Sequence, residues 1–269
     1  MRNPFLTFGY IGPDYFCDRV EETKRLTSLL TNGNHVALIS PRRMGKTGLI
    51  KHCFSLPQLQ KDYYLFIVDI YATKSQAELT YNLGQSILSA LKSKGRKSWE
   101  AFIQIVSSLR AGIGFDTLGQ PSWNMEVGDI RMPQITLEEI FHYLAKADKP
   151  CIVAIDEFQS IMDYPEKNTE ALLRTHIQDC NNAWFVFSGS KRHMMGEMFS
   201  SPARPFYQSA STMSLRPIPQ DAYTQFIKHH FESNGLIIQE DAIEHLYRMF
   251  DGTTWYIQKI CNAEPTLLV

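Results

Sequence analysis

Residues 35–52, HVALISPRRMGKTGLIKH, constrain the fold more than any other stretch. HVALIS is a short apolar run, SPRRMG is a loop, and KTGLIKHCF has helical spacing, so the chain passes from a buried strand through a tight loop into a helix. In a loop of this kind consecutive backbone N–H groups wrap a β-phosphate, a lysine reaches the β and γ oxygens, and a hydroxyl ligates Mg²⁺ at a helix N-terminus. Gly45, Lys46 and Thr47 supply those parts, with Thr47 as the metal ligand. The spacing is that of GxxxxGK[ST] with Ser40 in place of the first glycine. That glycine serves the turn leaving the strand, whereas the second must let backbone approach phosphate, and the second is present. The expected phosphate cradle is therefore Ser40, Pro41, Arg42, Arg43, Met44, Gly45, Lys46, Thr47 and Gly48, with a nucleoside triphosphate and Mg²⁺ as its ligands. The bland alternative is a chance GKT in an ordinary strand-to-helix turn, and an independent element must decide.

Three more apolar runs, YYLFIVDIY, PCIVAIDE and AWFVFSGS, are short and nearly continuous, as strands covered on both faces are. Helical patterns separate them: residues 47–54, SQAELTYNLGQSILSALKSK, TLEEIFHYLAKA and NTEALLRTHIQDC. Strands alternating with helices predict an α/β, mainly parallel, layered fold. CIVAIDEFQSI ends in Asp156 and Glu157, two carboxylates at the C-terminal end of a buried strand, where open α/β sheets place their ligands. Asp156 is expected to hold Mg²⁺ through water and Glu157 to polarise the attacking water. A solvated pair opening a helix is the alternative; beside the loop upstream it loses weight. AWFVFSGS ends in Ser188 and Ser190, and Ser188 is the expected γ-phosphate sensor, with a turn capping the next helix as an equal alternative. Lys191 and Arg192 follow and face either phosphate or water.

Residues 110–133 are rich in Gly and Pro and read as a loop or hairpin insertion, with SWNMEV as a short extra strand. After LRPIP the pattern is helix alone, over residues 220–234, 239–250 and 254–262, so the expected division is a core over 1–216 and a helical lid over 217–269. Basic residues in KSKGRK, Lys92, Lys94, Arg96 and Lys97, read as a solvated helix end ahead of a phosphate-backbone contact. A formal net charge of −1 gives no global reason for nucleic acid or an anionic membrane. Five scattered cysteines without CxxC favour reduced thiols, and no run approaches the ~18 apolar residues of a membrane span, so the expected location is the cytoplasm.

With the GKT loop, the Asp-Glu strand and the sensor strand in this order, the chain resembles the AAA+-like ATPases of the archaeal-ATPase family, related to the STAND signal-transducing NTPases. NPFLTFGYIGPDYFCDRVEETKRLTSLL resembles the opening segment of that family over residues 1–33, with Phe16, Arg19, Glu22 and Leu26 at its marked positions. The resemblance implies Tyr10, Ile11 and Phe16 beside the adenine, with Arg19 near the cofactor, although ordinary core is the usual fate of such apolar side chains. P-R-R-x-G-K-[ST] is itself typical of the family, so Ser40 reads as a family trait. SGSKRHMM, SSPARPFYQSASTMSLRPI and GTTWYIQKICN resemble the turn after the sensor strand, the segment before the lid and the last lid helix. PFYQSA lacks an arginine usual there, with Arg204 nearby.

The implied fold is an ASCE-type P-loop NTPase, a parallel sheet flanked by helices with a small C-terminal helical lid. The implied activity is slow, Mg²⁺-dependent ATP hydrolysis driving a conformational switch between ATP and ADP states. An arginine finger supplied by a neighbouring copy in a homo-oligomer, or by a protein partner, is implied too, with Arg174 the first choice over Arg192 and Arg204. Relatives commonly continue into a winged-helix domain, whereas this sequence ends soon after the lid helix. A non-hydrolysing scaffold, a DNA-associated ATPase and a small-molecule kinase are the competing functions. Glu157 argues against the scaffold, and the lack of an N-K-x-D element favours adenine over guanine.

Overall fold

A computed structural model describes residues 5–263. Asn3 and Pro4 of the N-P-F start, and residues 264–269 of the NAEPTLLV end, lie outside the described residues. α1 (Val20–Thr31) leads to β1 (Val36–Ile39), and α2 (Lys46–Ser55) begins inside the GKT motif. α3 (Pro57–Asp62), β2 (Tyr64–Asp69), α4 (Gln76–Lys92) and α5 (Arg96–Ile105) follow, then a hairpin of β3 (Ile113–Phe115) and β4 (Pro121–Trp123). The chain continues through α6 (Pro133–Lys146), β5 (Cys151–Asp156), α7 (Thr169–Asp179), β6 (Ala183–Gly189), α8 (Arg192–Ser200) and β7 (Ser211–Met213). It closes with α9 (Gln220–Glu232), α10 (Glu240–Met249) and α11 (Thr254–Ala263).

Five strands form one sheet in the order β2-β5-β6-β1-β7, and every pairing in it is parallel. β5 is buried along its whole length, which is why CIVAID reads as an unbroken apolar run until its final aspartate. Side chains alternate between two cores: Val153 and Ile155 join the cluster under α4, α6 and α7, while Ile152 and Ala154 join the cluster under α1 and α2. β6 lies between β1 and β5, so the loop after β1 and the carboxylates at the end of β5 meet across the end of β6. α9, α10 and α11 close around a third cluster that includes Tyr223, Phe231 and Ile257, and Phe5 and Cys17 from the opening segment pack into it. All five cysteines are buried and free.

The expected insertion is the β3–β4 hairpin, anchored by Trp123 edge-on to Tyr81 of α4. The KSKGRK run is not simply a helix end: only Lys92 belongs to α4, whereas Arg96 opens α5 after Gly95 and pairs with Glu100 at 2.6 Å. α5 was not among the expected helices, although Trp99, Phe102 and Ile103, whose burial holds it, stand at helical i, i+3, i+4 spacing.

His35, half-buried just before β1, accepts the Phe185 N–H on Nδ1 at 3.1 Å. Burial, helped by the charge of Arg174, pushes its pKa down from 6.5 to about 4. The unfolded chain therefore takes up a proton that the folded chain refuses, so stability is full above about pH 6.5 and declines as pH falls toward 4. Urea unfolding at pH 7 and pH 5 should show a loss of about 1–2 kcal/mol from this site, a loss that His35→Gln removes.

Candidate nucleotide site

The site is a cleft of about 570 Å³ at the C-terminal edge of the sheet, walled by the loop after β1, the opening segment and α11. The loop turns through two left-handed residues, Arg43 at φ 68° and Gly45 at φ 88°. A Cβ on Gly45 would meet nothing within 4 Å, so the glycine is required by its left-handed backbone and not by crowding, and the space beside it is open. Ser40 is not left-handed, so this position does not require a glycine. Its hydroxyl is fully buried, donates to the Leu215 carbonyl at 3.2 Å and accepts the Leu215 N–H at 2.5 Å. Ser40 thus bolts the start of the loop to the segment just past β7, and it does not line the cleft.

Lys46 is buried, and its Nζ donates to the carbonyls of Ser40 at 2.8 Å and Pro41 at 3.0 Å, bracing the loop from within. Burial pushes its pKa down, against the opposing pull of Glu157 and Asp156. The Thr47 hydroxyl donates to Asp156 Oδ2 at 2.6 Å, and Asp156 Oδ1 accepts the Glu157 N–H at 3.1 Å. Among the described residues no cluster of three or more metal-ligating side chains exists. A hydroxyl and one carboxylate suit Mg²⁺, which is commonly held by one or two carboxylates together with substrate phosphates. Glu157 is left-handed at φ 56° and lines the same cleft; its Oε2 accepts from Gln159 Nε2 at 2.5 Å and from Ser190 Oγ at 2.7 Å.

Arg19, also left-handed, is buried and joins three segments: it pairs with Glu22 at 2.7 Å and donates to the carbonyls of Arg216 at 2.7 Å and Met44 at 3.2 Å. Arg42 lies over the Tyr71 ring, its guanidinium 5.2 Å from the centroid. Arg43 sits over Trp255 at 4.0 Å and Tyr256 at 4.7 Å, and its carbonyl accepts the Thr254 hydroxyl at 2.9 Å. Phe16 stacks on His52 at 4.3 Å, and Tyr10 bonds His52 Nδ1 at 2.9 Å.

Of the residues named from sequence, the cleft brings together Tyr10, Phe16, Arg19, Arg42, Arg43, Met44, Gly45, Lys46, Thr47, Gly48, Asp156 and Glu157. Ser40, Pro41, Ile11, Ser188 and Arg174 do not line it. Ser188 is fully buried and its hydroxyl has no partner, so Ser190 is the serine that faces Glu157. Arg174 is felt by His35, at the opposite end of β1 from the loop. Arg204 is engaged with Glu170 and Glu197, and Arg192 opens α8 outside the cleft. Sequence reading missed Asp69, Tyr71, Thr254, Trp255 and Gln258, all of which line the cleft. Asp69 carried a legible signal, since it closes the apolar run YYLFIVD as Asp156 closes CIVAID, and β2 sets it in register with Asp156.

A family model for an ATPase domain predominantly from Archaea matches residues 16–260. The chain belongs to that archaeal ATPase family. Its fold is similar to the Walker-type ATPase PABY2304 of Pyrococcus abyssi, with a TM-score of 0.65 and 20% identity over 95% of this chain and 69% of that one. It is similar also to the ORC2 protein of Aeropyrum pernix in its ADPNP–ADP complexes, with a TM-score of 0.61 and 16% identity over 99% and 67%. The ORC1 protein of Aeropyrum pernix in complex with DNA gives a TM-score of 0.60 and 12% identity over 99% and 64%. No curated protein matches the chain in sequence. These likenesses establish a P-loop ATPase fold, and the chain spans roughly two thirds of each neighbour's length.

The two-way bond of Ser40 to Leu215 gives a test of how this loop is held. Ser40→Gly, although it restores the more usual loop residue, should destabilise the chain by about 1–3 kcal/mol because it strands a buried backbone pair. Thermal unfolding beside Ser40→Ala measures it, and an unchanged Ser40→Gly midpoint would contradict the assignment.

Proposed function

We propose that this archaeal ATPase domain binds ATP with Mg²⁺, hydrolyses it slowly, and uses the nucleotide state to set how α11 engages the phosphate loop. The reading is carried by the 2.6 Å Thr47–Asp156 bond, formed in the same cleft that Lys46 and Glu157 line. In this reading Thr47 and Asp156 hold Mg²⁺, which when bound supplies positive charge to the phosphate oxygens. Lys46 exchanges its two loop carbonyls for phosphate oxygens, and the backbone at Gly45 admits the β-phosphate. Glu157 accepts the proton of the attacking water, in a site where most of the rate comes from positioning and charge. The base packs near Tyr10 and Phe16.

Slow turnover is expected because Arg174, Arg192 and Arg204 do not line the cleft and the arginines that do, Arg19, Arg42 and Arg43, are engaged by Glu22, Tyr71 and Trp255; in this reading a finger arginine comes from another copy or a protein partner. The switch is supported by Arg43, whose guanidinium and carbonyl both engage α11. Any shift in the loop as phosphate enters or leaves is therefore felt directly by the lid. The ORC1 neighbour is seen with DNA; here Arg96 is already paired with Glu100, and the KSKGRK run gives no support for that role. No described helix is long and apolar enough to cross a membrane.

Nucleotide affinity and phosphate release test the proposal. Lys46→Ala should weaken ATP binding by about 10- to 100-fold through the loss of charge-assisted hydrogen bonds. Glu157→Gln should retain ATP yet lose about 100-fold or more in kcat; tight binding without turnover in the native chain would favour a scaffold instead. The lid coupling has its own check. Arg43→Ala removes a cation–π contact worth about 0.5–2 kcal/mol and should bring the ATP and ADP dissociation constants closer together. An unchanged ratio would sink the switch.

A further inference from the structure

Glu157 is followed at once by a short turn, Phe158–Asp163, because its own left-handed backbone doubles the chain back. That brings Gln159, only 1% exposed, beneath the carboxylate, where Nε2 donates to Oε2 at 2.5 Å. Ser190 Oγ donates to the same oxygen at 2.7 Å, and Arg42 Nε donates to Ser190 at 3.4 Å, linking the pair to the phosphate loop. Gly189 makes room for the amide: a Cβ there would lie 2.5 Å from Gln159 Oε1 and as close to the Met195 side chain. The Gln159 Oε1 atom is buried without a partner. A side chain needed only to fill this space would be better apolar, since a stranded amide oxygen is costly. What the amide contributes is its N–H₂ group, and the carboxylate decides which way the amide faces.

We infer that Gln159 and Ser190 form a clamp that fixes the direction of the Glu157 carboxylate. Both donors engage Oε2, and Oε1 accepts no hydrogen bond among the described residues, which leaves it to receive the proton of a water in the cleft. Gln159 and Ser190 are positioning residues: they act through Glu157, and neither lines the cleft. The inference rests on the ATPase reading above, and its test separates the two.

The full chain is compared with Gln159→Met and Ser190→Ala, with Glu157→Gln as reference. Gln159→Met should lower kcat by about 10- to 100-fold while KM and ATP affinity stay within about twofold, since only the geometry of the base is lost. In the Glu157→Gln background the same substitution should cost nothing more. A second readout needs no turnover: in ¹⁵N NMR the Gln159 side-chain amide should exchange slowly with solvent, be absent from Gln159→Met and exchange faster in Glu157→Ala. Native kcat in Gln159→Met, or an amide exchanging as fast as a surface glutamine, overturns the clamp and leaves the ATPase reading standing. ATP binding without turnover in the native chain overturns the ATPase reading and the kinetic role of the clamp together. Should Gln159→Met not fold, Ser190→Ala carries the kinetic test, with the same loss of kcat expected and native kcat again overturning the clamp.

Discussion

The hydrogen bond between Thr47 and Asp156 is the contact on which the cleft depends. It joins residues 109 apart in sequence across the end of β6, and it exists only because β6 separates β1 from β5 in a parallel sheet. Parallel pairing places the C-terminal ends of β1 and β5 on one edge. The first residues of α2 and the carboxylates at the end of β5 consequently share one small volume. A one-residue slip in β5 would turn Asp156 to the other face and dissolve the site.

The phosphate loop is held from outside by groups that never need to touch a ligand. Ser40 pins its start to Leu215, Arg19 holds the Met44 carbonyl near its end, and the Arg43 carbonyl in its middle accepts from Thr254. Two left-handed residues in so short a loop are unfavourable in isolation, and for Arg43 the penalty is that of a side chain in a region L-residues avoid. The anchors offset it. They also converge from the opening segment, the exit of β7 and α11, so the loop's shape is coupled to parts of the chain that lie far apart in sequence.

Most of the fold was legible because buried parallel strands leave an unmistakable trace. HVALIS, PCIVAIDE and AWFVFSGS each became a strand, and the helices between them followed from spacing. α3 was not legible, being a six-residue helix held by the burial of Leu59, whereas α5 was overlooked although Trp99, Phe102 and Ile103 stand at helical spacing. Of the residues that line the cleft, Lys46, Thr47, Asp156 and Glu157 were readable because a GKT loop and an acidic strand end each carry a recognisable spacing. Ser188 and Ser190 were not separable, since both are serines two residues apart at a strand end and only the point where β6 stops, at Gly189, decides that Ser188 is sealed in the core while Ser190 is free to turn toward Glu157. Arg174 could not be placed either: a helix position gives no hint of which end of the sheet it approaches.

The sequence by itself determined the local chemistry. A glycine where backbone must face an anion, a lysine and a hydroxyl after it, and two carboxylates at the end of an apolar strand are each dictated within a dozen residues. Tertiary structure decided the partnerships. That Ser40 serves Leu215, that Gln159 and Ser190 share one oxygen of Glu157, and that Arg43 stacks on Trp255 all depend on which strands are neighbours and where α11 lies. Local sequence sets which bonds a side chain can make; only the packing of distant segments selects the partner, because hydrogen bonds and ring contacts act over a few ångströms and the chain must first bring the groups together.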